Sequence, residues 1–291
     1  MPVVRARRSW SPEPSLAIGA LLYLPLAIVL ACLLVYPILR LFGAAMPDGF
    51  NLAAFSDYFA NAARVRALVV TFRDSAAVAV AATFMGFVLA WALISSSSRP
   101  LRGLIWVAVS LPLLMGTVVK NYALLIILQR RGILNSLLVG TGLVAQPLQL
   151  LYNEAAVVIG ILYTLLPFAV VPIFAALLTV DFDTVRAAES MGASRLTAIR
   201  SVVLPIVRPV MIGTGMLIFV VATGFYVVPV VLGGATSPFI ATLIQNDMEQ
   251  FFDMKSAAIA AIVLVILSLV AVVGTLAIIG ADQFRKSAGS S

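Results

Sequence analysis

The stretch DFDTVRAAESMGASRLTAIRSVVLPIVRP, residues 181–209, is a charged island between two apolar runs. It holds seven charged side chains, whereas residues 155–180 before it and 209–232 after it hold none. A segment with this much charge is too costly to embed in hydrocarbon and too long for a tight turn. It reads as a structured loop on one face of a membrane, and the turn chemistry inside it is specific. Asp183 is placed to cap a short helix running through Glu189, Gly192 to close that helix in the left-handed conformation, and Ser194 to cap a second helix running to Leu204-Pro205. Two short helices at an angle make a knob. Ala187 and Ala188 on the first helix are small enough to let it enter a groove on another protein.

Working outward, the rest of the chain explains why such a loop must be held at a membrane surface. Of 291 residues, 62% are hydrophobic and only 11% are charged, against roughly half and a quarter in a soluble domain. Mean hydropathy is +1.11. Six stretches are long enough to cross a hydrocarbon core of about 30 Å: residues 16–42, 68–95, 103–128, 155–180, 206–232 and 256–280. The first is 27 residues long, well beyond a secretory h-region of about 7–15 residues, and reads as an uncleaved membrane helix. Residues 1–15 and 281–291 read as frayed cytoplasmic tails, and the whole as an all-α polytopic membrane protein.

Basic residues accumulate on the cytoplasmic side of short loops. With the N-terminus inside, 11 of the 19 Lys and Arg fall on the inner side, including Arg5, Arg7, Arg8, Arg99, Arg102 and Arg285. Arg130 and Arg131 oppose this bias. An even number of spans with both basic termini inside is the simplest arrangement, and it places residues 181–208 in the cytoplasm.

Composition also restricts the chemistry. The chain has no His and a single cysteine, Cys32, which excludes His-based acid–base catalysis, His/Cys metal sites and an internal disulfide. The lysines follow Val119, Met254 and Arg285 rather than a glycine, so there is no Gly-Lys-Ser/Thr phosphate loop. If the chain takes part in active transport, the energy must come from an ion gradient or from another subunit docked on a loop. Gradient-driven carriers place carboxylates well inside their spans, and none is seen here. A self-contained gradient-driven carrier and a purely structural membrane protein remain the rival readings, and the second gives no reason for a Gly-broken knob ending in Leu-Pro.

Prolines 112, 167, 172 and 229 interrupt the third to fifth spans, and Ala82, Gly86 and Ala90 recur every four residues on the second, a spacing for close helix packing. Lys120 lies inside the third span beside Asn121 and Tyr122. A lysine at that depth costs about 2.5–3.5 kcal/mol on insertion scales, so it faces the bundle interior, an interface or a pathway, or else snorkels or pairs with Asp74 or Glu154. Thr223 and Tyr226 in the fifth span are the other pathway candidates, with bundle packing as their alternative. Asp247, Glu249 and Asp253 form an acidic group in the last outer loop, suited to attracting cations or docking a partner.

Ala187-Ala188, Gly192 and Val202-Val203-Leu204-Pro205 resemble the Glu-Ala-Ala, three residues, Gly, then Ile-x-Leu-Pro pattern of permease subunits of bacterial binding-protein-dependent ABC importers. Arg186 stands where that pattern has its glutamate, with Glu189 just past the alanines. The resemblance implies a type I importer permease fold (MetI-like) in the bacterial inner membrane. It implies that the loop 181–205 is a coupling helix seated in a cleft of an ATP-binding subunit, with contacts from Asp183, Arg186, Ala187, Ala188, Glu189, Gly192, Ser194, Leu204 and Pro205.

The implied partners are a second permease subunit (a paralogue or a second copy), two ATP-binding subunits carrying ATP and magnesium, and an extracytoplasmic solute-binding protein. No cofactor, no enzymatic activity and no nucleic acid are implied for this chain. LRGLIWVAVSLPLLMGTVVKNYALLIILQRRGILN and YVVPVVLGGATSPFIATLIQNDMEQFFDMKSAAIA are similar to permeases for spermidine and putrescine. The same subgroup looks to include permeases for opines, amino-acid derivatives and organophosphonates.

Overall fold

A computed structural model describes residues 16–46, 53–234 and 237–288. The expected N-terminal tail, residues 1–15, lies outside the described residues, as do residues 289–291 of the expected C-terminal tail. All regular structure among the described residues is helical, and six helices or helix pairs are long and apolar enough to cross a membrane.

Helix α1 (Leu16–Ala45) begins the chain, and the short α2 (Ala53–Ala60) precedes α3 (Ala62–Ser95). Asn61 caps α3 by accepting a hydrogen bond from the Ala63 amide at 3.0 Å. The third span is not continuous over 103–128. That stretch is divided between α4 (Arg99–Leu114) and α5 (Thr117–Leu128), with the chain extended at Met115 and Gly116 between them, and the length apolar enough to cross a membrane runs instead from Thr117 to Gly140. Pro112 removes a backbone donor from the last turn of α4, and Gly116 supplies the pliable residue at which the direction changes.

Helix α6 (Ile133–Gly140) forms part of an excursion between α5 and α7 (Glu154–Leu177). Asn135 staples that excursion: its buried amide donates to the Gln129 and Leu148 carbonyls and accepts from the Leu148 N–H. Asn153 caps α7 through the Ala156 amide. Beyond α7 come α8 (Phe182–Ser190), α9 (Arg195–Ala198), α10 (Leu204–Thr223), α11 (Ile240–Glu249) and α12 (Met254–Ala288). The last helix therefore continues past residue 281, where the sequence alone places the start of a tail.

The centre of the bundle is α3 packed along α7, with α10 across both. Small side chains make the α3–α7 approach possible: Ala79, Ala82, Gly86 and Ala90 are all buried, and Ala169 of α7 fits over Gly86. On the other side of α7, α4 packs Ile105 and Val109 against Val170, and Trp106 meets Phe174 edge to face at 5.2 Å. By contrast, α1 joins the bundle through one end, where Leu41 and Ala45 meet α12; its other described side chains are mostly exposed.

Candidate functional site

Two regions hold the residues of interest, the knob and the centre of the spans. In the knob, Asp181 rather than Asp183 caps α8, accepting from the Asp183 N–H at 2.9 Å. Asp183 lies in the first turn and pairs with Arg186 at 3.1 Å, both side chains being exposed. An exposed i,i+3 pair of this kind contributes about 0–1 kcal/mol, so Arg186 is not committed to it. The helix ends in a Schellman motif: Ala193 N–H bonds the Ala188 carbonyl, Gly192 N–H bonds the Glu189 carbonyl, and Gly192 sits at φ +92°.

Ser194 caps α9 through the Thr197 amide. The second helix of the knob does not stop at Leu204-Pro205. It passes through a π-helical segment, Ile199–Val203, directly into α10. Pro205 has no N–H for the Ser201 carbonyl and its ring crowds that carbonyl; the backbone widens upstream instead of breaking.

The inner face of α8 is anchored. Val185 is buried, and the Phe182 ring lies 6.1 Å from the Trp91 ring of α3. A pocket of about 580 Å³ separates the end of α3 from the knob, lined by Trp91, Ser95, Arg186, Glu189 and Arg195 among others. The outer face presents Asp183, Thr184, Ala187 and Ser190 to solvent, followed by Met191, Gly192 and Leu196, while Arg186 and Glu189, although exposed, border the pocket on the bundle side. Thus one side of α8 is fixed to the bundle and the other is open.

In the spans, Lys120 is 8% exposed and Asn121 is fully buried, with neither its amide nitrogen nor its oxygen partnered. Tyr122 is 56% exposed and turns away from both. Lys120 does not pair with Asp74 or Glu154. Those carboxylates are bridged by Arg73, which lies 2.8 Å from Asp74 and also pairs with Glu154. Thr223 is the last residue of α10; its hydroxyl donates to the Val220 carbonyl at 2.7 Å and lies 3.4 Å from Ser268 of α12. After Gly224 the helix is broken, and half-buried Tyr226 lies in that break, ahead of a π-helical turn over Pro229–Gly233. A break of this kind is where membrane transporters expose backbone to solute.

The acidic group of the last outer loop is occupied within the chain. Asp247 pairs with Arg64 at 3.6 Å, Glu249 accepts from Gln245 at 2.7 Å, and Asp253 caps α12 through the Ser256 N–H at 3.0 Å. Burial pushes the Asp247 carboxyl above its ordinary range, against the opposing pull of Arg64. The hydrogen bonds from Ser256 hold Asp253 below its ordinary range. Sequence reading missed Thr164, a buried polar residue midway along α7 with an unpartnered hydroxyl. The signal was present as the lone Thr in IGILYTLLPF.

Residues 82–284 match the family of binding-protein-dependent transport system inner membrane components. The chain belongs to this family. Family members are permease subunits of ABC importers whose ATPase is a separate subunit, which removes the self-contained carrier as a reading.

Among relatives, the chain is 28% identical over 187 residues to the spermidine/putrescine transport system permease protein PotB of Escherichia coli (strain K12), covering 64% of this chain and 68% of PotB. In three dimensions it resembles a bacterial ABC transporter that imports the acidic polysaccharide alginate, with a TM-score of 0.73, 20% identity, and coverage of 90% of this chain and 94% of the other. A second structure, of an alginate transporter in complex with alginate pentasaccharide-bound periplasmic protein, gives a TM-score of 0.73 at 21% identity, covering 89% and 92%. The fold is that of a type I ABC importer permease, and the family places it in the inner membrane.

Proposed function

We propose that this permease carries a small organic solute inward, a polyamine by its similarity to PotB or a carboxylate-bearing solute by its buried lysine, with both termini and the knob in the cytoplasm and α8 seated in a cleft of a separate ATP-binding subunit. Its working assembly is a second permease subunit, two ATP-binding subunits that hold ATP and magnesium, and an extracytoplasmic binding protein. The observation that carries the coupling role is the two-sidedness of α8: Phe182 and Val185 tie it to the bundle, while Asp183, Ala187 and Ser190 face outward.

Displacement of α8 by a closing ATPase pair reaches the pathway by a short mechanical route. The Schellman turn at Gly192 joins α8 to α9, and α9 runs without interruption through the π-helical segment into α10, which ends at the break beside Tyr226. Lys120, Asn121, Thr223 and Tyr226 are the pathway residues of this reading, and the exposed Tyr122 is a contact for the second permease subunit.

Similarity to PotB supports the polyamine. One observation favours a second solute class: Lys120 is buried without a carboxylate partner among the described residues, an environment that repels polycations and suits a carboxylate-bearing solute such as an opine or amino-acid derivative. Uptake of radiolabelled spermidine and of octopine into cells expressing the whole gene cluster decides between them. Spermidine uptake that needs the ATPase subunit supports the polyamine reading, and octopine uptake alone replaces it with the second.

A further inference from the structure

Gly160 of α7 is the level at which three spans meet. A Cβ placed there would come 2.6 Å from Leu232 Cδ1, 2.7 Å from Val228 Cγ1 and 3.5 Å from Leu124 Cδ2. Helix α5 is antiparallel to α7, because its end, Leu125 to Gln129, shares a pocket with Leu150–Tyr152 just before α7. The outer part of the fifth span is antiparallel to α7 as well: Tyr152 N–H bonds the Leu232 carbonyl, and Val228 lies further along, against Gly160.

The layer one turn deeper is therefore reached by stepping back three or four residues from Leu124 and Val228 and forward four from Gly160. Those steps lead to Lys120 and Asn121, to the helix break beginning at Gly224, and to Thr164. Thr164 is ten residues into α7, about 15 Å from its start at a rise of 1.5 Å per residue, which is the middle of the membrane.

At this one level stand a buried ammonium with no carboxylate, a fully buried amide with neither atom bonded, and a buried hydroxyl without a partner. Buried polar groups in native proteins are satisfied in the great majority of cases, and each one left unpaired is costly. An unpaired amide and an unpaired hydroxyl beside a buried lysine, at one level in a membrane core, mark a place that is occupied during the working cycle. Their chemistry selects the occupant. Lys120 and Thr164 donate, the Asn121 amide nitrogen donates, and no acidic side chain among the described residues pairs with Lys120. The N-terminus of α5, one turn from Lys120, adds the positive end of a helix dipole.

We propose that Lys120, Asn121 and Thr164 form a mid-membrane site for an oxyanion group, the carboxylate of the solute in transit. The proposal rests on the importer reading and favours the second of the two solute classes. Thr164 becomes a specificity-determining residue.

A test that does not depend on knowing the solute uses two small thiol reagents of opposite charge. In a Cys32→Ser background, Thr164→Cys is introduced into the complete complex in proteoliposomes. It is then treated with the anionic sulfonatoethyl or the cationic trimethylammonioethyl methanethiosulfonate, without nucleotide and after vanadate trapping. Rates are divided by each reagent's rate with free cysteine. The site predicts at least tenfold faster modification by the anion in one of the two states, falling to within threefold when Lys120→Met is added.

Equal rates, a cationic preference, or no modification in either state overturns the proposal. Asn121→Cys, tested in the same way, guards against a folding defect at Thr164. Failure of the importer reading shows separately, as the absence of an ATP-binding subunit from the purified complex.

Discussion

Ala169 of α7 lies directly over Gly86 of α3, so closely that a Cβ on Gly86 would be 2.7 Å from the Ala169 Cβ and 3.1 Å from its carbonyl carbon. Two spans at the centre of the bundle thus meet through the absence of one methyl group. Gly86→Ala should push α3 from α7 and lower stability by about 1–3 kcal/mol. Ala169→Gly in the same chain should restore most of the loss. The thermal midpoint of the purified protein in detergent reads both, and an undisturbed Gly86→Ala variant would show that the helices are not this close.

Arg73, about three turns into α3, joins that helix to the first residue of α7, Glu154. The Asp74 side chain is 4% exposed and the Arg73 side chain 55%. Removing Arg73 leaves a buried carboxylate uncompensated, which costs about 3–5 kcal/mol at fully buried sites and less here because the arginine is half-exposed. Arg73→Met should therefore lower the thermal midpoint clearly, and Arg73→Met with Asp74→Asn should recover most of it. If the double variant is no more stable than the single, the buried carboxylate is not the source of the loss.

Tyr58 gives the protein an alkaline limit. Its hydroxyl is buried without a hydrogen bond, and burial pushes the phenol up to about 12, with Arg64 opposing and Asp247 adding slightly. A phenol kept neutral by the fold supplies stability that is complete below its ordinary value of 10.0 and is lost as pH rises towards 12, by about 2 kcal/mol. Tyr58→Phe should flatten that part of the stability profile and leave neutral pH unchanged or slightly improved, because an unpaired hydroxyl is removed. An identical alkaline decline in both proteins would contradict this.

Arg186 is open to a partner because its contact with Asp183 is exposed and weak. Reversal to Glu should lower uptake severalfold while insertion and the amount of protein in the membrane stay unchanged. Replacement of the exposed Ala187 by a bulky residue should do the same by blocking close approach, whereas Ala188 is half-buried against the bundle and its enlargement would disturb packing. Loss of protein from the membrane fraction, rather than loss of coupling, would assign Arg186 and Ala187 to folding.

Much of this was legible from residues alone, and the exceptions have physical causes. The six spans and the knob follow from hydropathy and from Gly192 and Ser194, whose capping roles depend only on local backbone geometry. Local signals failed where the answer lay in competition between neighbours. Asp181 and Asp183 are both competent caps; the first takes the role, with Phe182 between them packed against Trp91, a tertiary contact that local sequence does not reveal. Leu204-Pro205 reads as a stop, yet a π-helical turn absorbs the proline and the rod continues. The layer formed by Lys120, Asn121 and Thr164 depends on the register of α5 against α7, which Gly160 sets and no periodicity reveals.

The account stands on α8 being the element through which a separate ATPase drives this permease. The most direct measurement compares solute uptake and ATP hydrolysis in reconstituted complexes carrying Gly192→Trp. A Cβ at Gly192 has no neighbour within 4 Å, so the new side chain starts in open space, but it strains the left-handed turn and adds bulk to the exposed knob. The expected result is assembled complex with ATP hydrolysis retained and uptake lost. Wild-type uptake from that complex would contradict the central claim.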